Sequence, residues 1–117
     1  MIGDIYIMNK IEINIAKDYT KTPGGRYIIE GEFSGEHFRT TILKPTFERA
    51  IAEGNTIVVI LDGGYGYPPS FLEEAFGGLV RETKDSRVAQ IEIVSDEEPG
   101  QIDKIKGYIN SELRKIK

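Results

Sequence analysis

The run "TIVVIL", residues 56–61, constrains the fold of this chain more than any other stretch. It is β-branched and aliphatic throughout, with no alternation between wet and dry positions. A strand with one solvated face alternates. A continuous run belongs to a strand covered on both faces, at the centre of a sheet with helices packed on it. The flanking sequence supplies such helices. Upstream, "SGEHFRTTILKPTFERAIAEGN" repeats Phe38, Ile42, Leu43, Phe47, Ala50 and Ile51 at spacings of three and four. Pro45 has no N–H to donate, so it should kink this element or open a second short helix at its first turn. Gly54 is a natural stop. Downstream, a helix from about 71 to 82 puts Phe71, Leu72, Ala75, Phe76 and Leu79 on one face. A last amphipathic helix in "PGQIDKIKGYINSELRKIK" aligns Ile102, Ile105, Ile109, Leu113 and Ile116.

The other segments read as strands. "KIEINIAKDY" alternates at Ile11, Ile13 and Ile15, and "MIGDIYIM" before it also alternates. "TKTPGG" is turn chemistry, after which "RYIIEG" reads as the returning strand of a hairpin. "RVAQIEIVS" supplies another strand. The order β-β-α-β-α-β-α argues for an α/β fold: one mixed sheet of four to five strands with helices packed on it, in a single domain over 1–117.

Composition narrows the functional classes. There is no cysteine, which excludes disulfides and thiolate metal sites, and the single histidine, His37, argues against a histidine-based metal site or a Ser-His triad. The formal net charge is −4 and the basic residues are scattered, except for "LRKIK" at 113–117. That cluster suits a helix C-terminus complementing its macrodipole better than a nucleic-acid footprint. No apolar run reaches the roughly 18 residues that span a bilayer. "MIGDIYIMNKI" carries Asp4 and lacks the basic start and cleavage site of a signal peptide. The expectation is a cytoplasmic protein with no cofactor and neither nucleic acid nor membrane as partner.

The chemistry concentrates at the junction "LDGGYGYPPSFLEEAFGGLV", residues 61–80. Ser70 has a structural reading: "SFLE" is a capping box in which Ser70 accepts from the Glu73 amide and Glu73 reaches back, with Pro68 and Pro69 barring helix before it. The surroundings suggest more. Three glycines and two tyrosines lie between a buried strand and a helix, where open sheets place ligands and where free amides favour anions. Lacking the Walker lysine and the dinucleotide spacing, "GGYGY" is no phosphate-binding fingerprint. Gly77 and Gly78 inside the helix each cost about 1 kcal/mol relative to alanine, offset by close packing of helix on sheet or by a partner's backbone.

These residues carry a resemblance. "VVILDGGYGYPPSFLEEAFGGLV", with "SGEHFRTTILKP" upstream, resembles the bacterial and phage STAS-like domain family of unknown function, over about residues 25–81. The resemblance implies a STAS-type fold. It also implies a non-enzymatic regulatory or protein-binding role, since better-known STAS domains are anti-sigma-factor antagonists. In those, a serine at the start of the helix after the central strand is phosphorylated by a histidine-kinase-like ATPase. Laid without gaps on their "D-S-S-G-L", Pro68 and Pro69 replace the acid and first serine, Ser70 matches the phosphoacceptor, and Phe71 stands where glycine would be. Glu73 and Glu74 add negative charge to the same turn. The face implied for a partner or ligand comprises Asp62, Gly63, Gly64, Tyr65, Gly66, Tyr67, Ser70, Phe71 and Glu74.

Other readings concern the same regions. A small ligand or substrate could enter a strand-end pocket lined by Asp62, Tyr65, Tyr67 and Ser70. In "EGEFSGEHFR", Glu36 or His37 could serve as general base near Ser34, against the simpler reading of Ser34 as a helix cap followed by an acidic first turn. Arg26 and Arg39 should pair with these carboxylates or with Asp62 at the surface, contributing little. "MIGDIYIM" could form a homodimer edge.

Overall fold

The continuous apolar run becomes β2 (Thr56–Ile60), the middle strand of a three-stranded sheet of order β1-β2-β3 in the computed structural model, which describes residues 9–116. β1 (Lys10–Asn14) pairs with it on one side, Ile13 opposite Val59, and β3 (Glu92–Val94) on the other, Val59 opposite Ile93. Both pairings are parallel. Parallel strands need long crossovers and cover on both faces, which is why Val58 and Val59 are apolar in succession and both buried.

Helices supply the cover. Ser34 accepts a hydrogen bond from the His37 amide and starts α2 (Gly35–Phe38), which runs through a π turn (Arg39–Leu43) into α3 (Lys44–Glu53). Pro45 falls just after the π turn, in the first turn of α3 but inside one continuous helical run. Gly54 closes α3 at φ +72°, the left-handed region open to glycine. After β2 come α4 (Pro69–Leu72), a second π turn (Glu73–Gly77) and α5 (Gly78–Thr83), without a break. β3 is followed by α6 (Gly100–Leu113). Phe38, Leu43, Val59, Phe71, Phe76, Leu79 and Ile105 are fully buried in one cluster.

The opening hairpin is not formed. Asn14 ends β1 because its side chain caps a single helical turn, α1 (Ile15–Asp18), accepting from the Lys17 amide at 3.1 Å while Asp18 accepts from the Asn14 amide. "RYIIEG" is no strand: Ile28–Glu30 is a 3-10 turn. Glu30 accepts from the amides of Arg26 and Tyr27, and Glu36 from that of Ile28, so side chains take the donors a ladder would use. "RVAQIEIVS" is shorter as a strand than read, since Asp85 caps a 3-10 turn over Ser86–Gln90. Among the described residues the sheet is therefore three-stranded and parallel; "MIGDIYIM", read as a strand, lies outside them.

Candidate functional site

Asp62 leaves β2 and immediately ties two loops together. Its carboxylate accepts from the amides of Asp96 at 3.0 Å and Glu97 at 2.9 Å, and Glu97 accepts from the Gly63 amide at 2.9 Å. Asp62 thus satisfies backbone donors of the loop after β3. Gly63 and Gly66 hold φ +95° and +129°, which side chains resist. Tyr67 donates its hydroxyl to the Leu61 carbonyl at 2.8 Å. Burial, reinforced by the charges of Asp62 and Glu97, pushes its pKa up to about 12. The space between these groups is about 30 Å³, lined by Asp62, Tyr67, Ser95 and Gln101 among others, enough for about one water. Tyr65 and Ser70 do not line it. Tyr65 instead stands 81% exposed.

Ser70 is not the helix cap. Pro69 is the first helical residue and Pro68 the cap, its carbonyl accepting from the amides of Phe71 and Leu72. Proline is pre-organised for the first helical position, so the start moves one residue ahead of the serine. Ser70 is half-buried and its hydroxyl makes no hydrogen bond among the described residues. Phe71 is fully buried and Glu74 is 7% exposed, so neither can present a side chain to a partner, contrary to the face inferred for them.

Glu73, the other half of the expected box, is held elsewhere. It accepts from Arg81 at 2.8 and 3.1 Å and from Arg26, and these guanidinium bonds, Arg81 foremost, hold its carboxyl at about 2 against the opposing effect of burial. Glu74 meets Arg39 at 2.7 Å, Arg26 at 3.2 Å and Arg81 at 3.3 Å. Arg39 also donates from Nε to Glu82 at 2.6 Å and from Nη1 to the Glu74 carbonyl at 2.6 Å. Its side chain is 8% exposed and that of Glu74 9%, so the pairs are interior ones, and Asp62 takes no part. Gly77 and Gly78 make room for this network, not for helix on sheet. A Cβ on Gly78 would overlap Arg39 Nη1 and lie 3.0 Å from Cζ; one on Gly77 would meet the Glu73 carboxyl.

Residues 34–101, from the Ser34 cap through both arginine-bearing helices and the junction to the first turn of α6, match the family described as STAS-like domain of unknown function. The chain belongs to that family. No curated protein and no solved structure matches it.

Within this STAS-like domain the segment at the start of the family match is structural. Ser34 is fully buried with its Oγ accepting from the His37 amide at 3.0 Å. The His37 ring turns to the Tyr19 hydroxyl, 2.7 Å from Nδ1, and Glu36 to the Ile28 amide. No base is aimed at the Ser34 hydroxyl. Burial raises Tyr19 to about 12. Among the described residues no cluster of three His, Asp or Glu could hold a metal ion, and no helix is long and apolar enough to cross a membrane.

Proposed function

We propose that this STAS-like domain is a non-enzymatic regulatory module. It binds a protein partner of the histidine-kinase-like ATPase type through the loop 63–69 and the start of the following helix, and it is switched by phosphorylation of Ser70. The observation that carries the reading is the state of Ser70: a hydroxyl in the first turn of a helix, beside the exposed Tyr65 loop, with no capping bond to give up. The two carboxylates that would repel a phosphate there are compensated, Glu73 by Arg26 and Arg81 and Glu74 by Arg39 as well. A phosphate would add nearly two negative charges at a desolvating contact and release the partner. The 30 Å³ space beside Asp62 is too small for the ligand-binding alternative.

The test is phosphopeptide mapping of the protein from its own cells, with pull-down of the ATPase by Ser70→Ala and Ser70→Asp. Phosphate on Ser70, with binding kept by the alanine variant and lost by the aspartate variant, supports the switch. Absence of phosphate together with equal binding by both variants sinks it.

A further inference from the structure

Five large hydrophobic side chains stand exposed among the described residues, and four of them, Tyr27, Ile28, Ile29 and Phe33, fall in the stretch 27–33. Ile29 is 93% exposed. A scattered exposed residue needs no explanation, but four within one short stretch, two of them, Ile28 and Phe33, lining the same concavity, do. The stretch is built, not loose. The Glu30 and Glu36 carboxylates tie down the amides of residues 26–28, and the Gly24 amide donates to the Phe33 carbonyl at 2.9 Å. The Glu32 carbonyl sits where a Gly24 side chain would be. Phe33 takes φ +58°, a strained value for a bulky residue, and packs edge-on against Tyr19 with ring centroids 5.5 Å apart. Between Ile28, Phe33 and His37 the surface is hollowed into a concavity of about 520 Å³. Its rim is acidic. Glu32 lines it with no hydrogen bond or ion pair of its own among the described residues, and Glu30 and Glu36 flank it. The adjacent cation, Arg26, is turned away into Glu73 and Glu74.

We propose that this surface is a second docking site, for a protein segment that presents aliphatic side chains along one face and lysine or arginine beside them. The aliphatic groups cover Ile28, Ile29 and Phe33, and the cations meet Glu32 and its neighbours. Charge decides the occupant: an anionic membrane would be repelled by the same carboxylates that attract a basic segment. The site stands whether or not Ser70 carries phosphate. Because the turn is pre-organised, little ordering opposes binding.

The experiment is an amide-resolved NMR titration of the full chain with a synthetic helical peptide carrying leucine on one face and lysine on the other. Controls are a scrambled peptide of the same composition and vesicles of neutral lipid. Expected are shifts confined to residues 26–37, and affinity about tenfold lower for Ile29→Asp and for Glu32→Lys. Both positions are exposed, so the variants should keep the wild-type melting curve. The proposal is overturned if the peptide does not bind or the scrambled peptide binds equally. It is likewise overturned if the shifts lie elsewhere, or if 27–33 is covered instead by lipid or by a second copy of the chain.

Discussion

Gly78→Ala sets two effects of opposite sign against each other. In an exposed helix interior the change stabilises by about 1 kcal/mol, because alanine loses less backbone entropy on folding. Here the new methyl would overlap Arg39 Nη1 and lie 3.0 Å from Cζ and 3.3 Å from Cδ. The guanidinium cannot swing into solvent cheaply. It is buried, and Nη1 alone holds both the Glu74 carboxylate and the Glu74 carbonyl. Displacing it leaves a buried carboxylate short of its closest cation. Breaking a buried pair costs about 3–5 kcal/mol, and the lower end applies because Arg26 and Arg81 also reach Glu74. The balance is a loss of about 2 kcal/mol, or about 8 °C in Tm for a chain of this size. Urea and thermal unfolding measure it. The same substitution in an Arg39→Met background should lose the penalty and regain the helical benefit. A Gly78→Ala protein as stable as wild type would refute the argument, showing that Arg39 relocates without cost.

Three further outcomes follow from the same geometry. Ser70→Ala should leave stability within about 0.5 kcal/mol of wild type, whereas Ser34→Ala should lose about 1–2 kcal/mol as a buried cap is removed; equal losses in parallel melts would contradict the assignment of the caps. Gly35→Ala should be more damaging than either, since its methyl would run into the Phe71 carbonyl, a backbone atom that has no rotamer to yield; a soluble variant with a wild-type urea midpoint would overturn this. Glu73 is held near 2 against an ordinary 4.5, so its stabilising contribution is complete above the unfolded value and drains as pH falls from 4.5 toward 2. Glu112, also lowered by Lys115 and Arg81, acts in the same direction. Urea midpoints measured down this range should fall for wild type and fall less for Glu73→Gln.

What the sequence made legible is what local chemistry decides. β2 declared itself through an unbroken apolar run, α6 through its isoleucine stripe, and the helix after Ser34 through its cap and its glycine stop. The family, too, was readable from the residues around Ser34 and Ser70. The misreadings fall where a carboxylate, a proline or an arginine claims a group that the local pattern assigns elsewhere. "YIIE" has the composition of a strand, yet the carboxylates of Glu30 and Glu36 claim its amides. "SFLE" has the letters of a capping box, yet Pro69 begins the helix and Arg26 and Arg81 hold Glu73. The buried Arg39–Glu74 pair joins residues 35 apart in sequence, and no spacing rule reveals it. The paired glycines are its one visible trace in the sequence, where they fit packing against the sheet or the approach of a partner's backbone.

The parallel sheet has a consequence for how the chain comes to be folded. Lys10 lies opposite Thr56, and Val58 opposite Glu92, so among the described residues no two neighbouring strands are joined by a tight turn and no hairpin can zip first. Each ladder waits for the closure of a long excursion, an entropic toll met only when the intervening helices have shortened the path. During synthesis β1 can find β2 once residue 60 has emerged, but β3 and α6 come from the last quarter of the sequence. Until they arrive, one edge of β2 stays open, and Val59 and Leu61, buried in the finished protein, lack part of their cover. The time between the emergence of β2 and that of α6 is the interval in which this protein is most open to aggregation.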